Sequence, residues 1–574
     1  MSYSLAILDN APLGGQVQEA SDTPDVIGSY LREQADLSAV EKFSQKHQDA
    51  VNPLQEPYYR DLLPISKPAT GEQYAFEVDL DLCTGCKGCV TACKSLNGLG
   101  DDESWRDVGL IHGQRQASAV QHVTTACHHC LEPACASGCP VNAYVKLDES
   151  GIVKHLDDQC IGCQYCTLTC PYDVPKFSKE LGIVRKCDMC VGRLENSEAP
   201  ACVQACPNEA IRITVVSHED VWAQAQAGMV VPGTPPSDIT FPTTHFKTGR
   251  TQVRELVPAD YDQPQKEHGH APLIVMLVLT QVAAGVFVTE FLSGWATGLS
   301  GVLGFWGSAV GFGICCLALA ASILHLGRPK YAYRAILGLG HSWLSREILA
   351  FGLFVKAAGL LVFIKWAENT PVQAGLTFKS FSKFLPALES VTIFLGIAGV
   401  FCSVMVYHVT RRIFWNAART LPKFTMTMVV GGASCLMCTA CVREFVCAGV
   451  GVAAQWVQVL ALLTSLTMLL KLGLELEVLL HTRDKVNSSL KRTAVLHLDS
   501  MRGWCVARLL CAVAGGFITP WALVHGVSNQ LMSHGSLALL AAAGFLLVLC
   551  GELSERYLFF RAVVALKMPG GIPG

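Results

Sequence analysis

Residues 83–93 read CTGCKGCVTAC, and the arrangement of thiols returns as CHHCLEPACASGC at 127–139, CIGCQYCTLTC at 160–170 and CDMCVGRLENSEAPACVQAC at 187–206. Sixteen cysteines therefore fall into four groups of four. The first is Cys83, Cys86, Cys89 and Cys93, the second Cys127, Cys130, Cys135 and Cys139. The third is Cys160, Cys163, Cys166 and Cys170, the fourth Cys187, Cys190, Cys202 and Cys206. The last three end in Cys-Pro, at Pro140, Pro171 and Pro207. Three thiolates at i, i+3 and i+6 on a tight loop can wrap three corners of an iron–sulfur cubane. A fourth, held apart on a short helical turn, reaches a neighbouring cubane.

Zinc sites also use pairs of C-x2-C, but they gain nothing from a third cysteine at i+6 or from a Cys-Pro ending. A disulfide framework suits a small secreted chain, not 574 residues with a long apolar half. The pattern resembles that of bacterial ferredoxins, written four times. In a two-cluster ferredoxin unit the fourth cysteine of each group serves the other group's cluster. Four groups then make two pseudo-twofold units and four 4Fe-4S clusters. No position has lost its cysteine, so no three-iron cluster is expected.

The chain is 51% hydrophobic and 16% charged. Its apolar share is concentrated after about residue 270, as in a soluble half joined to a membrane half. A net charge of −3 without basic runs gives no reason to expect nucleic acid as a partner. The 26 cysteines imply assembly where thiols stay reduced. The fold class expected is an α+β ferredoxin-like domain of two pseudo-twofold two-cluster units, followed by an all-α bundle of about eight transmembrane helices.

Residues 1–72 read as an N-terminal extension, and their opening lacks the basic and apolar regions of an export signal. One amphipathic helix is expected over 27–48, with Ile27, Leu31, Leu37, Val40 and Phe43 near one face, as a strap on the next domain. Residues 73–215 hold the cysteine groups, with AFEVDLDLC, GIVKHLDDQC and GIVRKCDMC each bringing a strand to a cysteine loop. The insert 94–126, with Trp105 and Arg106, reads as a cover over a cluster or a contact with another subunit. His122, His128, His129 and His155 read as supporting or surface groups rather than ligands. Residues 216–270, with six prolines from Pro232 to Pro264 and no apolar period, read as a linker.

Residues 271–574 contain eight apolar stretches, near 272–292, 303–325, 346–366, 386–408, 424–444, 451–472, 503–526 and 535–555. Each approaches the roughly 20 residues that cross a hydrocarbon core of roughly 30 Å. Basic residues gather in alternate loops: Arg328, Lys330 and Arg334; Arg411, Arg412, Arg419 and Lys423; Arg483, Lys485, Lys491 and Arg492; Arg556, Arg561 and Lys567. The opposite loops carry little beyond Lys365, Lys379, Lys383 and Arg443. The count places the chain in an inner membrane with both termini and the ferredoxin domain on the cytoplasmic side. The loop HLGRPKYAYRAILGLGHSWLSRE gathers His325, Arg328, His341, Arg346 and Glu347 at one membrane face. Arg328 and Lys330 read as snorkelling anchors. His325 and Glu347 can accept the two protons released by a quinol. Cys435, Cys438, Cys441 and Cys447 have a cluster-like spacing, but on a continuous helix they read as small apolar packing groups; a fifth cluster is the sharper alternative.

The four cysteine groups, with CDMC at 187–190 and ACVQACPNEAI at 201–211, and in the second half HLGRP at 325–329 and SWLSREI at 342–348, resemble the dimethyl sulfoxide reductase type of complex iron–sulfur molybdoenzyme. The resemblance covers roughly 74–215 and 272–560, and joins an electron-transfer subunit and an eight-span anchor that are separate chains in the family. It implies oxidation of menaquinol at the anchor and electron flow through four clusters to a large molybdopterin catalytic subunit. Groups two and three then serve the clusters nearer the membrane. His325 and Glu347 become quinol-site candidates with Arg346 as a supporting charge. No haem is expected, although His408 near the end of a span keeps that question open. Two alternatives stay beside this reading: a quinone-reducing anchor for a formate or sulfur-compound dehydrogenase, and a stand-alone membrane redox protein. The chain shows no phosphate loop, nucleophile–base pair or open metal site, so terminal substrate chemistry lies elsewhere.

Overall fold

A computed structural model describes residues 25–570 apart from 36–37, 51–53, 102, 114–118, 227–230, 251–255, 300, 370–381 and 448–452. The chain divides into two units, 1–58 and 59–574. In the first, helices Val26–Ala35 and Ala39–Asp49 stand where one helix was expected. Ser38 divides them: its hydroxyl accepts from the Glu41 amide while the Glu41 carboxylate accepts from the Ser38 amide, a reciprocal pair that starts a new helix. Ile27, Leu31, Val40 and Phe43 are exposed, and Leu37 lies outside the described residues.

In the second unit, the alternation in AFEVDLD becomes β1 (Glu72–Asp79), with Gln73, Ala75, Phe76 and Val78 buried. The remaining strands are β2 (Asp107–Gly113), β3 (Val120–Thr125), β4 (Tyr144–Lys146), β5 (Val153–His155), β6 (Lys176–Ser178), β7 (Ile183–Arg185), β8 (Ile211–Ser217), β9 (His245–Lys247) and β10 (Leu256–Pro258). They form sheets β8-β1-β9 and β10-β2-β3 and the hairpins β4-β5 and β6-β7. The segment 216–270 is thus not a free linker. It packs against the ferredoxin half, with β9 parallel to β1 and β10 antiparallel to β2. Thr240 donates to the Tyr172 hydroxyl at 3.2 Å and Thr243 to the His128 carbonyl at 2.7 Å. Edge strands of three residues are too short to show a period, which is why the sequence there reads as irregular.

Among the described residues, eight helices are long and apolar enough to cross a membrane. They are Ala271–Thr297, Phe305–Ile323, Trp343–Glu368, Leu385–His408, Ala417–Val446, Ala454–Arg483, Arg502–Ser528 and His534–Arg561, the first to eighth spans below. The apolar window of the first span is 72% buried and that of the second 28%, so the first is central and the second peripheral. The fifth span runs unbroken through Cys435, Cys438 and Cys441, which join Leu436, Ala440, Trp456 and Leu460 in one apolar cluster.

The fifth to eighth spans are tied by buried ions. Lys471 pairs with Glu552, and with Glu475 at 3.3 Å. Arg508 grips Glu475 through Nη2 at 2.8 Å and Nε at 2.9 Å and reaches Glu552 at 3.0 Å. Thr427 donates to Glu552 at 2.7 Å. Removing one partner leaves a buried charge uncompensated. Lys471→Met is therefore expected to cost about 3–5 kcal/mol, read as a lower thermal midpoint of the solubilised protein; an unchanged midpoint would show that the network is not needed for stability.

Candidate functional site

The third residue of the C-x-x-C that opens each of the four groups lies in the left-handed region: Gly85 at φ 74°, His129 at 42°, Gly162 at 69° and Met189 at 61°. Each turn brings its two thiols to one side, and short helices at Gly88–Leu96, Ala134–Gly138, Tyr165–Thr169 and Ala201–Gln204 carry further cysteines of each group. The thiols then sort into quartets that cross the groups. One cavity is lined by Cys127, Cys130 and Cys135 with Cys170 of the third group. Another is lined by Cys83, Cys86 and Cys89 with Cys206 of the fourth. Cys163 and Cys166 both face Cys139 and Cys160. Cys93 faces Cys202 and Cys190, and Cys187 has the same three as neighbours. The fourth cysteine of each group thus sits beside thiols of another group.

The quartets fit cubanes on two further observations. Two of the quartets line small cavities, the space that a cubane fills between its thiolates. Buried cations also lie between the quartets. Arg106 is 2% exposed, donates to Thr124 at 3.2 Å and lies over the Phe76 ring at 4.6 Å, while among the described residues its Nε and one Nη have no nitrogen or oxygen partner and the guanidinium faces the Cys202 thiol. It faces Cys202, Cys89, Cys187 and Cys93. Lys186, 3% exposed, faces Cys127, Cys135 and Cys187. Buried cations of this kind call for anionic groups beside them. Burial first, then neighbouring thiolates, pushes Cys93 and Cys163 up to about 12, so metal rather than water would keep them ionised.

The four histidines stay outside the quartets. His129 Nδ1 accepts from the Val153 amide at 3.1 Å, His128 packs edge-on to Tyr172, and His155 pairs with Asp157 at 2.7 Å and bonds to Cys160. The His122 ring fills the space beside Gly85. In the sequence Arg106 reads only as part of a covering insert and Lys186 does not stand out at all, because a lone cation carries no motif.

The membrane half meets the ferredoxin half at one quartet. His325 Nε2 donates to the Cys163 carbonyl at 3.2 Å, Gly327 N to Gly162 at 3.3 Å and Arg328 N to Ile161 at 3.0 Å. From the other end of the same loop, His341 donates to the Cys139 carbonyl at 3.0 Å and Ser342 to Gly138 at 2.7 Å. The glycine in HLGRP is required by contact: a Cβ on Gly327 would lie 2.1 Å from the Gly182 carbonyl oxygen. Gly327→Ala is expected to loosen the junction without loss of iron, seen as faster proteolysis of this loop; unchanged proteolysis would remove Gly327 from the docking. Arg328, expected as a snorkelling anchor, instead donates to the Asp157 carbonyl at 2.9 Å, because that turn offers a fixed acceptor.

Glu347, 4% exposed, accepts from the Ser403 hydroxyl. Its charge, after burial, raises the Tyr165 phenol, which donates to the Val406 carbonyl at 2.7 Å. Among the described residues no hydrogen bond joins His325 to Glu347, but both border the turn at 163–165. The Arg346 guanidinium turns to the Leu339 and Gly340 carbonyls at 3.0 and 2.9 Å and stacks over Trp343 at 4.5 Å. It braces the loop. His408 Nδ1 accepts from the Ala417 amide at 3.3 Å.

The fold and site define an iron–sulfur electron-transfer domain fused to an eight-helix membrane anchor. Residues 118–216 match the 4Fe-4S dicluster domain and residues 267–561 match the DMSO reductase anchor subunit (DmsC). The chain belongs to the DMSO reductase anchor subunit family, with its electron-transfer partner on the same polypeptide. It is similar to the B subunit of the anaerobic dimethyl sulfoxide reductase of Haemophilus influenzae, 35% identical over 189 residues, covering 31% of this chain and 91% of that protein. It is also similar to the thiosulfate reductase electron transfer subunit PhsB of Salmonella typhi, 34% identical over 153 residues, covering 26% of this chain and 79% of the relative. The hydrogenase-2 operon protein HybA of Escherichia coli is 30% identical over 227 residues, covering 34% of this chain and 68% of HybA.

Proposed function

We propose that the chain oxidises menaquinol beside His325 and Glu347 and passes electrons through four 4Fe-4S clusters to a separate molybdopterin subunit of the sulfoxide or nitrate reductase class. The observation that carries this reading is the docking of the HLGRP and HSW loops on the main chain of Cys163 and Cys139. It puts the ionisable pair of the anchor beside one cysteine quartet. The proposed ligand sets are Cys139, Cys160, Cys163 and Cys166; Cys127, Cys130, Cys135 and Cys170; Cys93, Cys187, Cys190 and Cys202; and Cys83, Cys86, Cys89 and Cys206. Cys127 as a neighbour of Cys187, and Arg106 between the last two sets, support that order from the membrane outward. Groups two and three then lie nearer the membrane. When bound, the clusters supply one-electron carriers.

The chain's own residues supply binding and proton handling. His325, its Nε2 engaged by Cys163, offers Nδ1 to one quinol oxygen. Glu347, oriented by Ser403, takes a proton from the quinol. Arg346 holds the loop that carries them. The partner class is supported by the names of the dimethyl sulfoxide reductase and thiosulfate reductase relatives. The basic loops support an inner-membrane location with the ferredoxin domain on the cytoplasmic face. Redox titration of the membranes by electron paramagnetic resonance tests the reading: four cubane signals are expected, all reducible by a menaquinol analogue. Fewer than four, or clusters that only dithionite reduces, would overturn it.

A further inference from the structure

A quinol gives up two protons with its two electrons, and Glu347 takes one of them on the reading above. We propose that His270 takes the other and hands it to Glu267 at the rim of a water-accessible cavity beneath the C-terminal tail. The inference rests on the proposed quinol site.

His270 directly precedes the first span, and its half-buried ring stands 5.1 Å from that of His325, at 87° to it. The titratable groups facing it are His325, His268 and Glu267, with Tyr557 and Arg561 packed against the intervening Gly269. Burial, then the charge of His325, pushes His270 down to about 4. At neutral pH its imidazole is therefore uncharged and has a free lone pair. His325 donates its Nε2–H to the Cys163 carbonyl, which leaves the Nδ1 lone pair for the quinol hydroxyl, and the His270 ring beside it receives the proton from there.

The exit lies three residues upstream. Glu267 meets Lys567 at 2.8 Å, and Lys567 reaches Asp173 at 3.6 Å. All three line a cavity of about 420 Å³, walled on one side by residues 564–570. That tail is fixed, since the Leu110 amide donates to the Gly570 carbonyl at 3.0 Å. A water needs roughly 10–15 Å³ of such space, so the cavity has room for a connected group of them. His268, next but one to His270, is exposed and faces the same solvent.

The step balances. One quinol O–H bond breaks and an N–H bond forms on His270, while the two electrons leave singly towards the electron-transfer domain. The proton then passes to the Glu267 carboxylate and on to water, which returns the imidazole to its neutral form. A quinol that has lost one electron is a strong acid, so a weak base is enough to receive its proton, and a weak base releases it quickly.

The test uses the full chain with its catalytic companion in native membranes. H270A is expected to slow quinol-driven reduction by about tenfold or more, with added imidazole restoring much of the rate. E267Q should slow it in the same direction, and dithionite should reduce both variants fully. Without turnover, a redox-inert phenolic quinol analogue should bind H270A about tenfold more weakly, as expected when His325 loses its neighbouring ring and holds the hydroxyl less well, while its methyl ether binds both proteins alike. Wild-type rates in H270A overturn the proposal, as does a slow rate that imidazole leaves unchanged. E347Q, measured alongside, separates the two claims: if it is slow while H270A is normal, only the relay falls, and if both are normal, the quinol site falls with it.

Discussion

Changing Cys163 to serine is expected to reduce quinol-driven delivery of electrons to the catalytic subunit to background. Cys163 belongs to the quartet with Cys139, Cys160 and Cys166, the one in contact with the membrane half. A serine oxygen is a poor substitute for a thiolate on iron, so the cubane is lost or converted. The substitution leaves the main chain alone, and His325 keeps the Cys163 carbonyl as its partner. Ligand loss is thereby separated from loss of docking. Dithionite-reduced membranes should lack one cubane signal and hold fewer irons, by about one to four. Turnover that persists with that signal absent would exclude a linear path.

Glu347→Gln is expected to lower quinol-driven cluster reduction by about a hundredfold or more, the lower end for removing a general base. Glutamine keeps the volume of a side chain that is 4% exposed and still accepts from Ser403 through its amide oxygen. What it loses is the ability to take a proton. Reduction by dithionite, which bypasses the quinol, should stay at the wild-type level. A normal quinol rate would remove Glu347 from the site.

The four cysteine groups were legible because coordination of a cubane would fix both residue type and spacing, and the structure sets Cys206 beside Cys83, Cys86 and Cys89 and Cys170 beside Cys127, Cys130 and Cys135. The eight spans were legible because hydrocarbon sets a length and forbids charge. Their arrangement was not. The first and second spans have mean hydropathies of 2.3 and 1.8, yet burial of 72% and 28%, since the centre of a bundle is as apolar as its rim. The strands β9 and β10 were missed because hydrogen bonds to β1 and β2, not an apolar period, hold them. The basic loops carried two messages at once. Arg328 and Arg334 bind the carbonyls of Asp157 and Asp158, Arg492 that of Asp260, and Lys567 reaches the Asp173 carboxylate. Charges that read as a topology signal also fasten the ferredoxin half to the anchor. Lys379, counted in an opposite loop, lies outside the described residues. His325 and Glu347 stood out as ionisable residues at span ends, but the docking that gives them a shared turn depends on Gly162, Gly182 and Gly327, which are far apart in sequence.

Anaerobic purification of the chain from its native membranes, with metal analysis and identification of any companion polypeptide, decides between a conduit and a protein that acts alone. About sixteen irons per chain are expected, from four cubanes, together with molybdenum on a large second subunit. Iron on this chain with no companion and no molybdenum would contradict the conduit and leave a membrane redox protein that acts alone.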